Sequence, residues 1–156
     1  MKKIFFIIIT MILHIFVYTE DIKETNCIVL SYGMDINKVK DVLGEPLEHR
    51  LIQEYVESEF NEYLLRYEGL SLYYEIGDKS ISYILSSSPQ YALKIDDTIV
   101  SCGETKMEVE KKFGTLYFDY SYNNTDVYCY YADNFLIAFF AFNKDEKLVT
   151  VQYEHE

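Results

Sequence analysis

Histidine, cysteine, serine and paired acids are the residue types that could carry chemistry in this chain, and their spacing is poor for it. Of the three histidines, His14 falls in an apolar N-terminal run, His49 follows Pro46 in an expected loop, and His155 lies in the C-terminal tail. Neither His49 nor His155 has a nucleophile or metal ligand at useful local spacing, so both read as surface residues. Ser86-Ser87-Ser88 is a linker run rather than a strained nucleophile turn. Asp96-Asp97 and Asp145-Glu146 lack the ordered alternation of oxygen ligands that a calcium loop requires. Acids brought together only by folding are not visible at this level. The reading is therefore of a chain that is not an enzyme, with no catalytic residue, no metal and no cofactor.

Cys27, Cys102 and Cys129 are too far apart, and too far from histidine, for a metal site. In an exported chain thiols can oxidise, and an odd number allows at most one internal bridge. Cys102–Cys129 is the expected pair, because both fall in one half of the chain and the loop between them is short. Cys27 is expected to stay reduced.

The elements that must position these groups come twice. Gly33-Met34-Asp35-Ile36-Asn37-Lys38-Val39-Lys40-Asp41-Val42-Leu43-Gly44 returns as Gly103-Glu104-Thr105-Lys106-Met107-Glu108-Val109-Glu110-Lys111-Lys112-Phe113-Gly114. Asp35 is a fair helix N-cap, and Ile36, Val39, Val42 and Leu43 recur at helical spacing. Thr105 with Glu108 forms a capping-box pattern, and Met107, Val109 and Phe113 supply the second apolar stripe. Gly44 and Gly114 stop the two helices where a left-handed residue is tolerated, and Pro46 blocks resumption of the first.

Strand-like sequence follows each helix. It predicts strands near Leu51–Ser58, Glu62–Tyr67, Leu70–Glu75 and Ser80–Ser86, then Leu116–Tyr120, Asp126–Tyr131, Phe135–Phe142 and Leu148–Tyr153. Short turns between them favour antiparallel hairpins. Ser86–Lys94 reads as the link, with a helical turn at Tyr91-Ala92-Leu93. The fold class is α+β: two tandem units, each a short helix packed on an antiparallel β meander. The units span 26–88 and 89–156, behind an export signal or anchor at 1–19.

That N-terminal segment has Lys2 and Lys3 before an apolar run from Ile4 to Tyr18. It has the layout of a signal peptide but is short for a bilayer crossing. Its cleavage site is poor, so a retained anchor stays open beside a secreted or periplasmic product. Removal of residues 1–19 takes two lysines and no acid, moving the formal charge from −12 to −14. Such a surface repels nucleic acid and anionic lipid and favours a basic partner. Membrane association would follow only if the N-terminal segment is retained. Charge that simply keeps the chain soluble is the other reading.

Alternation assigns the faces. Leu70, Leu72 and Tyr74, with Ala138, Phe140 and Phe142, are expected to face the helices. So are Ile81, Tyr83 and Leu85, and Val149, Val151 and Tyr153. The opposite face would show Ser71, Tyr73 and Glu75, and Tyr128, Tyr130, Ile137 and Phe139. An open sheet face is normally polar. This one is aromatic, in a chain with 16 tyrosines and no tryptophan. Tyrosine suits protein interfaces, although cover by the other unit or by the N-terminal segment would also explain it.

A short helix after Gly-x-[Ser/Thr/Asp], closed by glycine, followed by a strand meander and present twice, resembles the beta-lactamase inhibitory protein family. It also resembles the single-unit outer-membrane assembly lipoproteins of the same broad superfamily. The resemblance covers Asn26–Tyr153. It implies two units side by side whose sheets grip a target protein, and a disulfide within a unit, in agreement with Cys102–Cys129. The expected function is an exported protein-binding module, enzyme inhibition being one form of it, with Tyr73, Glu75, Tyr128, Tyr130, Ile137 and Phe139 as the binding residues. The alternative is a structural or assembly component of the cell envelope.

Overall fold

Short apolar segments between glycine, asparagine and aspartate turns can only be stabilised by pairing with one another, and the pairing gives two sheets. The computed structural model describes residues 27–54, 61–75, 77–132 and 135–154. The expectations for residues 1–19, 55–58 and His155 lie outside the described residues.

In chain order the elements are β1 (Ile28–Ser31), α1 (Ile36–Leu43), β2 (Glu48–Glu54), β3 (Asn61–Tyr67), β4 (Leu70–Glu75), β5 (Ile81–Ser86) and β6 (Tyr91–Ile95). They continue with β7 (Thr98–Ser101), α2 (Lys106–Phe113), β8 (Tyr117–Tyr122), β9 (Thr125–Ala132), β10 (Phe135–Phe142) and β11 (Leu148–Glu154). Eight strands form one antiparallel sheet in the order β2-β3-β4-β5-β11-β10-β9-β8, and β1-β6-β7 form a second. The fold is α+β, as its residues imply.

The three-stranded sheet differs from the expectation. Tyr91-Ala92-Leu93 is not a helical turn in a linker but part of β6, which is parallel to β1 and antiparallel to β7. The reason is burial: Tyr91, Ala92, Leu93 and Ile95 are all buried, and a central strand satisfies their backbone on both edges. Leu30, Leu93, Ile95 and Val100 join the same core as Leu72 and Phe140 from the large sheet.

The helix ends are bonded as their sequences dictate. Asp35 Oδ1 accepts from the Asn37 amide at 2.8 Å and from that of Lys38 at 3.3 Å. Thr105 Oγ1 accepts from Glu108 N at 3.2 Å, while Thr105 N donates to Glu108 Oε2 at 2.6 Å. Their apolar stripes are narrower than the spacing suggests, because each helix is only eight residues long. Ile36, Val39 and Val109 are buried, whereas Val42 and Met107 are largely exposed.

Both caps hold their carboxyls below the ordinary value. The backbone amides of Asn37 and then Lys38 do so for Asp35; the Thr105 amide and then its hydroxyl do so for Glu108. A carboxyl depressed in the folded state favours folding above its unfolded pKa, and that contribution is lost as pH falls through the folded value. Melting temperature should therefore decline below about pH 4, and decline less steeply in Asp35→Asn and Glu108→Gln. Unchanged pH slopes in both variants would show that other groups govern acid sensitivity.

Beyond the caps, the same bonds recur 67 to 70 residues apart. Gly33 N donates to Ile81 O and Gly103 N to Leu148 O; Ile36 N donates to Lys79 O and Lys106 N to Glu146 O. Ile81 N returns to Met34 O, and Leu148 N to Glu104 O. Lys79 and Glu146 both take positive φ, at 55° and 54°.

The helix-ending glycines also match, but not in the expected conformation. Gly44 has φ 75° and ψ −160°, and Gly114 has φ 83° and ψ −146°. That region is open essentially to glycine alone, unlike the left-handed helical region that asparagine shares. Gly114→Ala should therefore cost about 1–3 kcal/mol in urea unfolding, and Gly114→Asn should give no relief. A neutral Gly114→Asn would contradict this.

Candidate aromatic face and sheet edge

Directly opposed residues of antiparallel strands point to the same side, so the register assigns each side chain to a face. On the helix side lie Leu65, Leu72, Ile84, Tyr153, Ala138 and Phe140. Tyr128 opposes Phe140 and Tyr130 opposes Ala138, so both tyrosines belong to this buried side. Phe113 of α2 meets Tyr130 edge-on at 5.1 Å and Phe140 at 5.1 Å. Lys106 Nζ lies 3.9 Å from the centre of the Tyr128 ring. The Tyr128 hydroxyl, as a hydrogen-bond partner, raises the pKa of that lysine.

The expected placement of Tyr128 and Tyr130 on the open face is thus corrected, and the cause is a bulge. The β9–β10 register shifts between Leu136 and Ala138, so the extra residue Ile137 sits where alternation breaks, buried at 6% exposure. A second shift, between Tyr73 and Tyr74 against β5, sends Tyr83 and Leu85 away from the helices. Ile81 remains inside, and Ile84, opposite Leu72, takes the buried place that Tyr83 and Leu85 were expected to hold. Val149 is likewise displaced, and Leu148 takes the buried place opposite Phe142.

Tyr73 and Phe139 keep the expected orientation. Tyr73 stands edge-on to Tyr83 at 4.8 Å, and burial followed by the neighbouring Tyr73 and Glu154 pushes the Tyr83 hydroxyl up to about 12. Glu75, at the end of β4, lines a small pocket with Tyr32, Gly33, Asp78 and Ser80.

The open face is divided in two. Towards β2 it is ionic: Glu48 binds Arg50 at 2.6 Å and Arg66 at 2.8 Å. Towards β8, Asp119, Tyr120, Val127, Phe139, Ala141, Thr150 and Gln152 line a shallow depression of about 400 Å³. Beside it, Tyr117 and Tyr131 meet edge-on at 5.7 Å. The β8 aromatics are strongly exposed, at 57% for Tyr117, 59% for Phe118, 52% for Tyr120 and 68% for Tyr122. Tyr117, Tyr120 and Tyr122 share the open face by register, whereas Phe118 opposes Tyr128 on the helix side. The expected site omitted all four. Their signal was the sequence Tyr-Phe-Asp-Tyr-Ser-Tyr itself, whose place at the end of the sheet depends on the order of strands.

His49 is in β2 rather than in a loop. Its Nε2 lies 2.9 Å from the Tyr74 hydroxyl, and the Tyr63 ring centre lies 5.6 Å from its own. Burial, then nearby Lys40, lowers its pKa. Tyr63 and Tyr74 stack at 5.5 Å, so the imidazole completes an aromatic cluster under α1.

The expected Cys102–Cys129 disulfide is absent: all three cysteines are free. Cys102 Sγ points to the carbonyl of Ser86 on β5 at 3.5 Å. Cys129 lies on β9, three places from β5 in the large sheet, and opposes Phe139 on the open face. Three strand spacings are about 14 Å, well beyond the roughly 4.4–6.8 Å Cα separation that a disulfide spans. Burial pushes the Cys102 thiol up to about 11. Without reductant, denatured protein should take up three alkyl groups, while native Cys102 should react slowly at pH 8. Uptake of one group would restore the bridge.

No family model matches the chain, and no curated protein matches it. Among solved structures it is similar to the 1.5 Å crystal structure of an extracellular protein containing an SCP domain from Bacillus anthracis str. Ames. The two share 12% identity at a TM-score of 0.41, over 80% of this chain and 44% of that one. The chain spans less than half the length of that protein. The beta-lactamase inhibitory protein family is not what these comparisons return, and the resemblance to it is corrected on that finding. Glycines flanking a capped helix, with apolar positions between, are a general physical solution for a short helix between turns. They do not mark one lineage.

Proposed function

We propose that the chain is an exported protein-binding module, acting through the open face of its large sheet near β8–β10. We read it as two tandem units, 26–88 and 89–156, on the recurring hydrogen bonds that close each helix against its hairpin. The observation that carries the function is β8, which presents the strongly exposed Tyr117 and Tyr120 on the open face at a depression lined in part by Tyr120 and Phe139. Large exposed apolar patches on a folded chain mark interaction sites, and tyrosine is enriched among the anchors in them. Binding rather than catalysis is the task of such a surface. The N-terminal Lys-Lys and apolar run support export.

The test uses the full chain as bait for secreted and envelope proteins, followed by titration of any captured partner against Phe139→Ala and Tyr120→Ala, both of which line the depression. Loss of at least about thirtyfold in affinity with an unchanged melting temperature supports the reading. Unaltered affinity in both variants would remove the open face from it. A second reading, an envelope structural or assembly component, draws on the apolar run Ile4–Tyr18 as a retained anchor. Cell fractionation separates the two, because an anchored product sediments with membranes.

A further inference from the structure

The two ends of the large sheet are finished differently. At one end β2 reads Glu-His-Arg-Leu-Ile-Gln-Glu, and its Glu48 is held by Arg50 and Arg66. Charge along an edge strand discourages the addition of a further strand. At the other end β8 reads Tyr-Phe-Asp-Tyr-Ser-Tyr, and among the described residues it pairs only with β9. Among the described residues, no strand neighbours its outer backbone amides and carbonyls. A bulge between Phe118 and Tyr120 bends the first half, which leaves Tyr120–Tyr122 as a regular stretch of edge.

The charge of this end selects the occupant. Strands β8, β9 and β10 contain Asp119 and Asp126 and no lysine, arginine or histidine, in a chain of net charge −12. Two copies meeting at β8 would bring like-charged edges together, which is unfavourable. An extended segment with basic side chains is complementary instead. Its backbone completes the ladder, while its cations face Asp119 and the exposed tyrosine rings.

We propose that β8 is a docking edge for an extended, basic peptide segment of a partner protein, which adds to the large sheet as a further strand. This rests on the protein-binding reading above and names the class of partner.

The probe is a capped synthetic ten-residue peptide alternating lysine and valine, titrated against the full chain. Its controls are a glutamate–valine counterpart and two lysine–valine peptides N-methylated at alternate amides, one in each register. The lysine peptide is expected to bind and to slow exchange of the Ser121 amide, the one in Tyr120–Tyr122 that points away from β9, at least tenfold. The glutamate peptide should not bind, and N-methylation on the edge that faces β8 should weaken binding at least tenfold. Tyr122→Lys should weaken it similarly with the melting temperature unchanged, whereas Tyr122→Ser should weaken it less.

Binding without protection of β8, or equal binding of either N-methylated register, overturns the proposal. So does protection that arises from concentration-dependent dimerisation of the chain alone. Tyr122 lies outside the depression, so the two readings fail separately. A captured partner lost by Phe139→Ala but retained by Tyr122→Lys would remove the docking edge and keep the open face.

Discussion

Cutting Phe140 to alanine should lower the unfolding free energy by about 3–5 kcal/mol, the usual cost of emptying a buried aromatic site. The side chain is fully buried on β10, between Val151 of β11 and Tyr128 of β9, with the Phe113 ring 5.1 Å away. The surrounding strands are fixed by ladder hydrogen bonds on both sides, so the site has little freedom to collapse around the void. Domains of this size have only about 5–15 kcal/mol in total, so the melting temperature should fall by roughly 10–20 °C. The adjacent residue is the control. Phe139 points to the open face, and Phe139→Ala should cost far less stability. Thermal and urea unfolding of both variants checks the assignment of faces, and equal losses would refute it.

Gly69→Ala should also cost several kcal/mol, through two separable effects. Gly69 has φ +70°, a conformation that costs an alanine about 1–2 kcal/mol. A Cβ there would stand 2.6 Å from Ser88 Cβ and 3.5 Å from Ser88 N, so the β4 turn and the β5–β6 connection would be forced apart. Overpacking of that kind typically adds about 1–3 kcal/mol. The contact is reinforced by Ser87 N, which donates to Gly69 O at 2.8 Å. Removing the Ser88 side chain should relieve the steric part alone. In a double-mutant cycle, Gly69→Ala with Ser88→Gly should therefore recover stability down to the backbone cost. Strict additivity of the two substitutions would show that the clash is absorbed elsewhere.

Both predictions concern positions whose importance was unequally legible. Phe140 could be assigned to the core from alternation with Ala138 and Phe142, because β10 is regular on that side of its bulge. Gly69 read only as a hairpin turn. Its close approach to Ser88 depends on where the chain goes after β5, a non-local matter.

The same division runs through the candidate site. Tyr73 and Phe139 lie on strands whose alternation is unbroken at those residues, and their face followed from their neighbours. Tyr128 and Tyr130 were misplaced because the bulge at Ile137 changes the register of β9 against β10, and no residue of β9 records that shift. Cys102 and Cys129 are 27 positions apart in sequence, but β11 and β10 lie between the strands against which they pack.

By itself the sequence determined the local structures: two capped helices of two turns, the hairpins that follow them, and the apolar alternation of β4 and β10. These depend on contacts within a few residues, where side-chain type and spacing settle the bonds. Tertiary structure alone decided the parallel pairing of β1 with β6, the bulges that reorient the tyrosines, and the separation of the cysteines. It also placed β8, with its four exposed aromatics, at one end of the large sheet. Each of these depends on which distant strands share a ladder, and ladder partners are chosen by the burial of the whole core rather than by any one segment.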